Sequence, residues 1–106
     1  MNRKKTGLVG LHLSRIERDK RERIVRAEFF QVWSRIDQKT LLVKRLSGIE
    51  ADESGIKPLR RDEMVTVAVR ETTDKSRPEI SWAWHENIYQ FAQDIDAEIK
   101  STWVAG

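Results

Sequence analysis

The sequence predicts an α+β fold: a small antiparallel sheet of two or three strands, with a hairpin at about 63–85, flanked by an N-terminal and a C-terminal helix. Three observations lead there. Ser14-Arg15-Ile16-Glu17 has the spacing of a capping box, which marks a helix start. Met64 to Arg70 and Ile80 to Trp84 alternate apolar and polar residues, the period of a strand. From Ile88 to Trp103 the apolar residues recur at helical spacing. The alternative is a mostly antiparallel β fold with one C-terminal helix.

The N-terminal helix is expected over 15–37. Behind the capping box, Glu17 and Arg21, Asp19 and Arg23, and Glu22 and Arg26 stand four apart with the acid first, the order that supports a helix. Val25, Phe29, Val32, Trp33 and Ile36 then supply an apolar stripe. The competing reading is a hairpin from 8 to 33, because Ile24 to Trp33 is rich in β-branched and aromatic residues and Val9, Leu11 and Leu13 alternate. The propensities of the charged middle favour the helix.

Thr40 to Leu46 is either a strand or a short helix stopped at Gly48, and 48–62, with Gly48, Gly55 and Pro58, reads as a long loop. Val65, Val67 and Val69 share one face of the next segment, and Ile80, Trp82 and Trp84 share one face of the segment after Pro78. Polar residues 72–77 between them read as the hairpin turn. The last helix carries Ile88, Phe91, Ala92, Ile95, Ile99 and Trp103 on its stripe and is capped by Asn87. Its stripe is expected to pack on the sheet face that bears the valines or tryptophans.

Residues 1–106 are expected to form one domain, with 1–6 a flexible basic arm. Apolar residues make up 39% and charged residues 35%, too apolar for disorder and too charged for a membrane span, which needs roughly 20 apolar residues in a row. The N-terminal apolar stretch stops at Arg15 with no small-residue cleavage site, so no secretory leader is expected. The chain has no cysteine, hence no disulfide, thiolate zinc site or thiol nucleophile, which suits the cytoplasm.

Bond chemistry finds little support. His85-Glu86 lacks the second histidine of a zincin, since Tyr89 stands at that position, and His12 is the only other histidine. No Gly-x-Ser-x-Gly elbow or phosphate-binding glycine loop occurs, and the acid pairs Asp52-Glu53 and Asp62-Glu63 lie in polar surroundings. No metal, no cofactor and no enzymatic activity are therefore expected. A small messenger-cleaving ribonuclease built around His85 is the remaining enzymatic alternative.

The net charge of +3 is unevenly spread: residues 1–26 hold nine Lys or Arg against three acids, and the remainder is mildly acidic. Such a field steers a polyanion or an acidic partner toward the basic end. Arg3, Lys4, Lys5, Arg15, Arg18, Arg23 and Arg26 are the candidate contacts, although Asp19 and Glu22 dilute them. Trp82, Trp84 and Trp103 are either core or a protein-contact surface, as tryptophan is a common interface anchor. The expected function is a non-enzymatic macromolecule-binding module acting on nucleic acid, or on a protein that handles it, through the basic N-terminal region, with no membrane partner. The alternative is a protein-binding adaptor or inhibitor of the phage or mobile-element type, working through an aromatic patch.

Overall fold

The computed structural model describes residues 7–103. Six strands, β1 (His12–Arg18), β2 (Ile24–Asp37), β3 (Thr40–Asp52), β4 (Gly55–Pro58), β5 (Met64–Ala68) and β6 (Ile80–His85), form one antiparallel sheet. A single helix, α1 (Tyr89–Trp103), ends the described chain. The alternative reading is therefore the correct one, and the expected N-terminal helix is absent. The basic arm expected at 1–6 lies outside the described residues.

The stretch read as a helix over 15–37 is the β1–β2 hairpin. Asp19 makes the turn: its Oδ1 accepts from the Arg21 and Arg23 backbone N–H groups, both at 2.9 Å, and Glu22 takes the left-handed conformation at φ 65°. The Asp19–Arg23 ion pair does form, at 2.8 Å, but across a turn rather than along a helix. Ser14 and Glu17, the supposed capping box, are strand residues. Long-range pairing outweighs local propensity here, because Ile16 opposite Ala27 and Leu13 opposite Phe30 bury apolar groups on both faces of the sheet. That double burial explains the misleading sequence pattern. A strand covered on both faces has consecutive apolar residues, as at Phe29-Phe30, and such a run imitates a helical stripe.

The expected 63–85 hairpin is also corrected. Its two strands exist, but β5 pairs with β3 and β6 pairs with β1, at opposite edges of the sheet. A 3₁₀ turn (Val69–Thr73) and a polar loop carry the chain between them. The long loop expected at 48–62 instead continues β3 to Asp52 and returns as β4. Thus β3 receives two neighbours along one edge, β5 on Thr40 to Lys44 and β4 on Ile49 to Asp52. Gly48 lies where these segments converge: a Cβ there would stand 2.9 Å from Leu59 Cδ1, so only glycine fits without displacement.

Two buried clusters result. Ile16, Ala27, Phe29 and Ala51 pack beneath α1 with Ile88, Ile95 and Ile99, the stripe read from the sequence. Each fully buried isoleucine contributes about 1.5–3 kcal/mol relative to exposure. The second cluster joins Leu13, Phe30, Val32, Leu41, Val43 and Val67, with Val65, Val69, Trp82 and Trp84 packed against it. The valines and tryptophans therefore share a core as expected of one face, yet it is not the core under the helix. Side chains from both edge strands, β5 and β6, meet in this cluster, so the sheet coils around it.

Candidate functional site

The four described arginines named as candidate contacts, Arg15, Arg18, Arg23 and Arg26, meet carboxylates. Arg15 lies 3.5 Å from both Glu17 and Glu28, and its guanidinium sits 5.8 Å from the Trp82 ring centroid. Arg18 binds Glu98 at 2.8 Å, tying β1 to α1. Arg23 binds Asp19 and, at 3.6 Å, Glu53, while its guanidinium lies 4.5 Å above the Trp103 ring. Arg26 pairs with Glu28 at 3.2 Å and with Glu50. The structure thus places these four arginines in one hairpin and gives each a partner. Arg3, Lys4 and Lys5 lie outside the described residues.

At the centre of this network Glu28 is nearly buried between Arg26, Arg15 and Arg45. Burial pushes its carboxyl pKa up, but hydrogen bonds from Arg26 and Arg45 more than offset this and hold it below the usual glutamate value. Cross-strand ion pairs of this kind fix register and neutralise the charges they join.

The tryptophans named from the sequence serve packing. Trp82 and Trp84 lie half-buried against the second cluster, and Trp103 donates its indole N–H to the Ile24 carbonyl at 2.8 Å.

The two histidines come together, which the sequence did not indicate. His12 on β1 stands opposite His85 on β6. His12 Nδ1 accepts the Ile88 backbone N–H at 3.1 Å, and Ser14 Oγ lies 2.9 Å from His85 Nε2. Tyr89 packs edge-on to the His12 ring, and Phe91 covers His85. Burial lowers the pKa of His12; burial, then repulsion from His12, lowers that of His85. A serine beside a histidine has the elements of a nucleophile and base, yet Ser14 is only 1% exposed and a substrate has no route to it. The pair instead anchors the start of α1 to the sheet. Among the described residues, no group of three His, Asp or Glu side chains is placed to hold a metal ion.

Exposed apolar groups gather elsewhere, toward the far end of the β2–β3 hairpin. Trp33 is 53% exposed and Ile36 54% exposed on β2, and Met64, on β5 opposite Lys44, is 42% exposed. Lys44 Nζ sits 5.3 Å from the Trp33 ring centroid and 3.4 Å from Asp62. Arg35 turns its guanidinium to the backbone carbonyls of Asp37 and Gln38, leaving its charge without a carboxylate partner among the described residues. Sequence reasoning assigned Trp33 and Ile36 to a buried helical stripe. The missed feature was a bulge between Val32 and Ser34, past which every residue of β2 through Asp37 is exposed.

No helix among the described residues is long and apolar enough to cross a membrane. Compared with protein families, with curated proteins and with solved structures, the chain matches none.

Proposed function

We propose that this chain is a non-catalytic protein-binding module, an adaptor or inhibitor that meets its target in the cytoplasm through the far end of the β2–β3 hairpin. One observation carries the reading: Trp33 and Ile36 are each more than half exposed on the same strand end, beside Arg35, whose charge has no carboxylate partner among the described residues. Large aromatic and arginine side chains are the usual anchors of protein interfaces, and a rigid strand holds them at low entropic cost. The basic N-terminal region supports a nucleic-acid role less well, since Arg15, Arg18, Arg23 and Arg26 are each engaged by an acid.

The test is affinity capture from nuclease-treated extract with wild type, Trp33→Ala/Ile36→Ser and Arg15→Ala/Arg26→Ala. The proposal expects a specific protein retained by wild type and by the arginine variant, and lost from the tryptophan–isoleucine variant. Retention that disappears with nuclease, or that follows the arginines, would replace it with nucleic-acid binding.

A further inference from the structure

At the tip of the same hairpin the surface folds into a groove of about 490 Å³. Lys39 and Thr40 form one wall, and Ala68, Val69, Arg70 and Thr73 form the other. The two walls are joined by backbone: Thr40 pairs with Ala68, and the Val69 N–H donates to the Lys39 carbonyl at 2.8 Å. The far wall is braced within the 3₁₀ turn, where Thr72 Oγ1 donates to the Val69 carbonyl at 2.7 Å and Glu71 Oε1 accepts the Ala68 N–H at 3.0 Å. The groove is therefore preformed, and its lining is mainly apolar.

Its rim is cationic. Lys39 and Arg70 stand on opposite walls, both exposed, and among the described residues neither has a carboxylate within ion-pairing distance. Asp37 accepts the Lys39 backbone N–H at 2.8 Å, and Asp37 and Asp74 also interact through space with the Lys39 and Arg70 charges without a direct ion pair. The contrast with the hairpin at the other end is sharp, because there Arg15, Arg18, Arg23 and Arg26 each have a carboxylate partner. An apolar floor between two cations that make no direct ion pair among the described residues complements a segment that places an apolar side chain between carboxylates.

We infer that this groove binds an extended acidic peptide segment of the partner protein, with Lys39 and Arg70 receiving carboxylates on either side of an apolar residue seated over Ala68 and Val69. The inference rests on the protein-binding reading above and names the chemistry of the partner. A nucleic-acid strand would satisfy the cations but has no use for the apolar floor.

The probe is an acetylated, amidated peptide of alternating Glu and Leu, titrated into the 15N-labelled full chain and followed by amide chemical shifts. Controls are the same peptide with Lys for Glu, and an oligothymidylate. Shifts confined to Lys39, Thr40 and Ala68 to Thr73, saturating with the acidic peptide alone, are expected. Lys39→Glu/Arg70→Glu should weaken binding about tenfold or more while leaving the remaining spectrum in place, and added salt should weaken it further. No saturating shift, shifts outside the groove, or equal binding of the oligothymidylate would overturn the inference. Failure here with capture still lost in Trp33→Ala/Ile36→Ser removes the acidic-peptide assignment alone; loss of the Trp33 effect removes the protein-binding reading itself.

Discussion

Glu28 on β2 and Arg45 on β3 form an ion pair at 2.8 Å with both side chains only 7% exposed, in the midst of a sheet whose neighbouring strands bring further charges to the same place. Arg45 also binds the Arg60 carbonyl and Glu63. Glu28 also receives Arg15 and Arg26. This junction pairs Arg15, Arg26 and Arg45 with carboxylates inside the fold.

Removing one member should therefore cost more than removing both. Glu28→Ala leaves three arginines without their common acid and is expected to lower stability by about 2 kcal/mol, less than the loss typical of a fully isolated buried pair because Arg45 keeps Glu63. Glu28→Leu/Arg45→Met should recover most of that loss. Urea denaturation of the two variants and wild type decides it, and a double variant weaker than the single would count against the argument.

The same glutamate gives stability an acid limb. Its folded pKa lies below the unfolded value, so the folded chain binds fewer protons than the unfolded one in that range. Its contribution is complete above the ordinary glutamate value of 4.5 and is lost as pH falls through the folded value. Glu28→Gln should flatten stability below about pH 5 relative to wild type, measured as the urea midpoint against pH.

His12 acts at higher pH. Its Nδ1 accepts the Ile88 N–H, so protonation removes the acceptor and orphans a buried donor at the start of α1. Because burial lowers the folded pKa of His12 and of His85 below 6.5, stability contributed by the neutral rings is present above that value and falls as pH drops from it toward the folded values. The groups facing His12 are His85, Tyr89 and Ser14's neighbourhood on β1, with Gln31 opposite on β2. His12→Asn offers an oxygen near the Nδ1 position without titrating, and should remove part of this slope while the His85 part remains. Hydrogen exchange at Ile88 in wild type should accelerate as pH falls, after correction for intrinsic exchange; an unchanged protection factor would contradict the assignment.

Trp33 and Trp103 should separate function from stability. Trp103→Ala removes the bond to the Ile24 carbonyl and the surface under Arg23, and is expected to cost about 2 kcal/mol, below the range for fully buried tryptophans. Trp33→Ala removes an exposed ring and should stay within about 0.5 kcal/mol of wild type. Thermal and urea unfolding of both variants provide the comparison.

Those two residues also show what the sequence could and could not convey. The α1 stripe was legible because Ile88, Ile95 and Ile99 repeat at a period that no local competitor supplies. The presence of β5 and β6 was legible from alternation, although β5 ends at Ala68 and Val69 and Arg70 enter the 3₁₀ turn. Their partners were not legible, since pairing β6 with β1 joins residues as far apart as His12 and His85. The N-terminal hairpin was misread for a definable reason: Asp19 and Arg23 satisfy a helical spacing rule and a turn equally well, and only Glu22 in the left-handed conformation tells them apart. The exposed cluster at Trp33 followed from that error, because a helix would have turned Trp33 inward. Charge counting likewise located the arginines correctly and could not see that Glu50 arrives from β3 and Glu98 from the helix, or that Glu28 on β2 faces Arg15 on β1.

Site-specific photocrosslinking tests the central claim most directly. A photoreactive residue at position 33, compared with one at position 18, should crosslink a single protein species in nuclease-treated extract, with the product diminished in Ile36→Ser. A product obtained from position 18 instead, or one abolished by nuclease, would show that the neutralised arginines and not the hairpin end meet the partner.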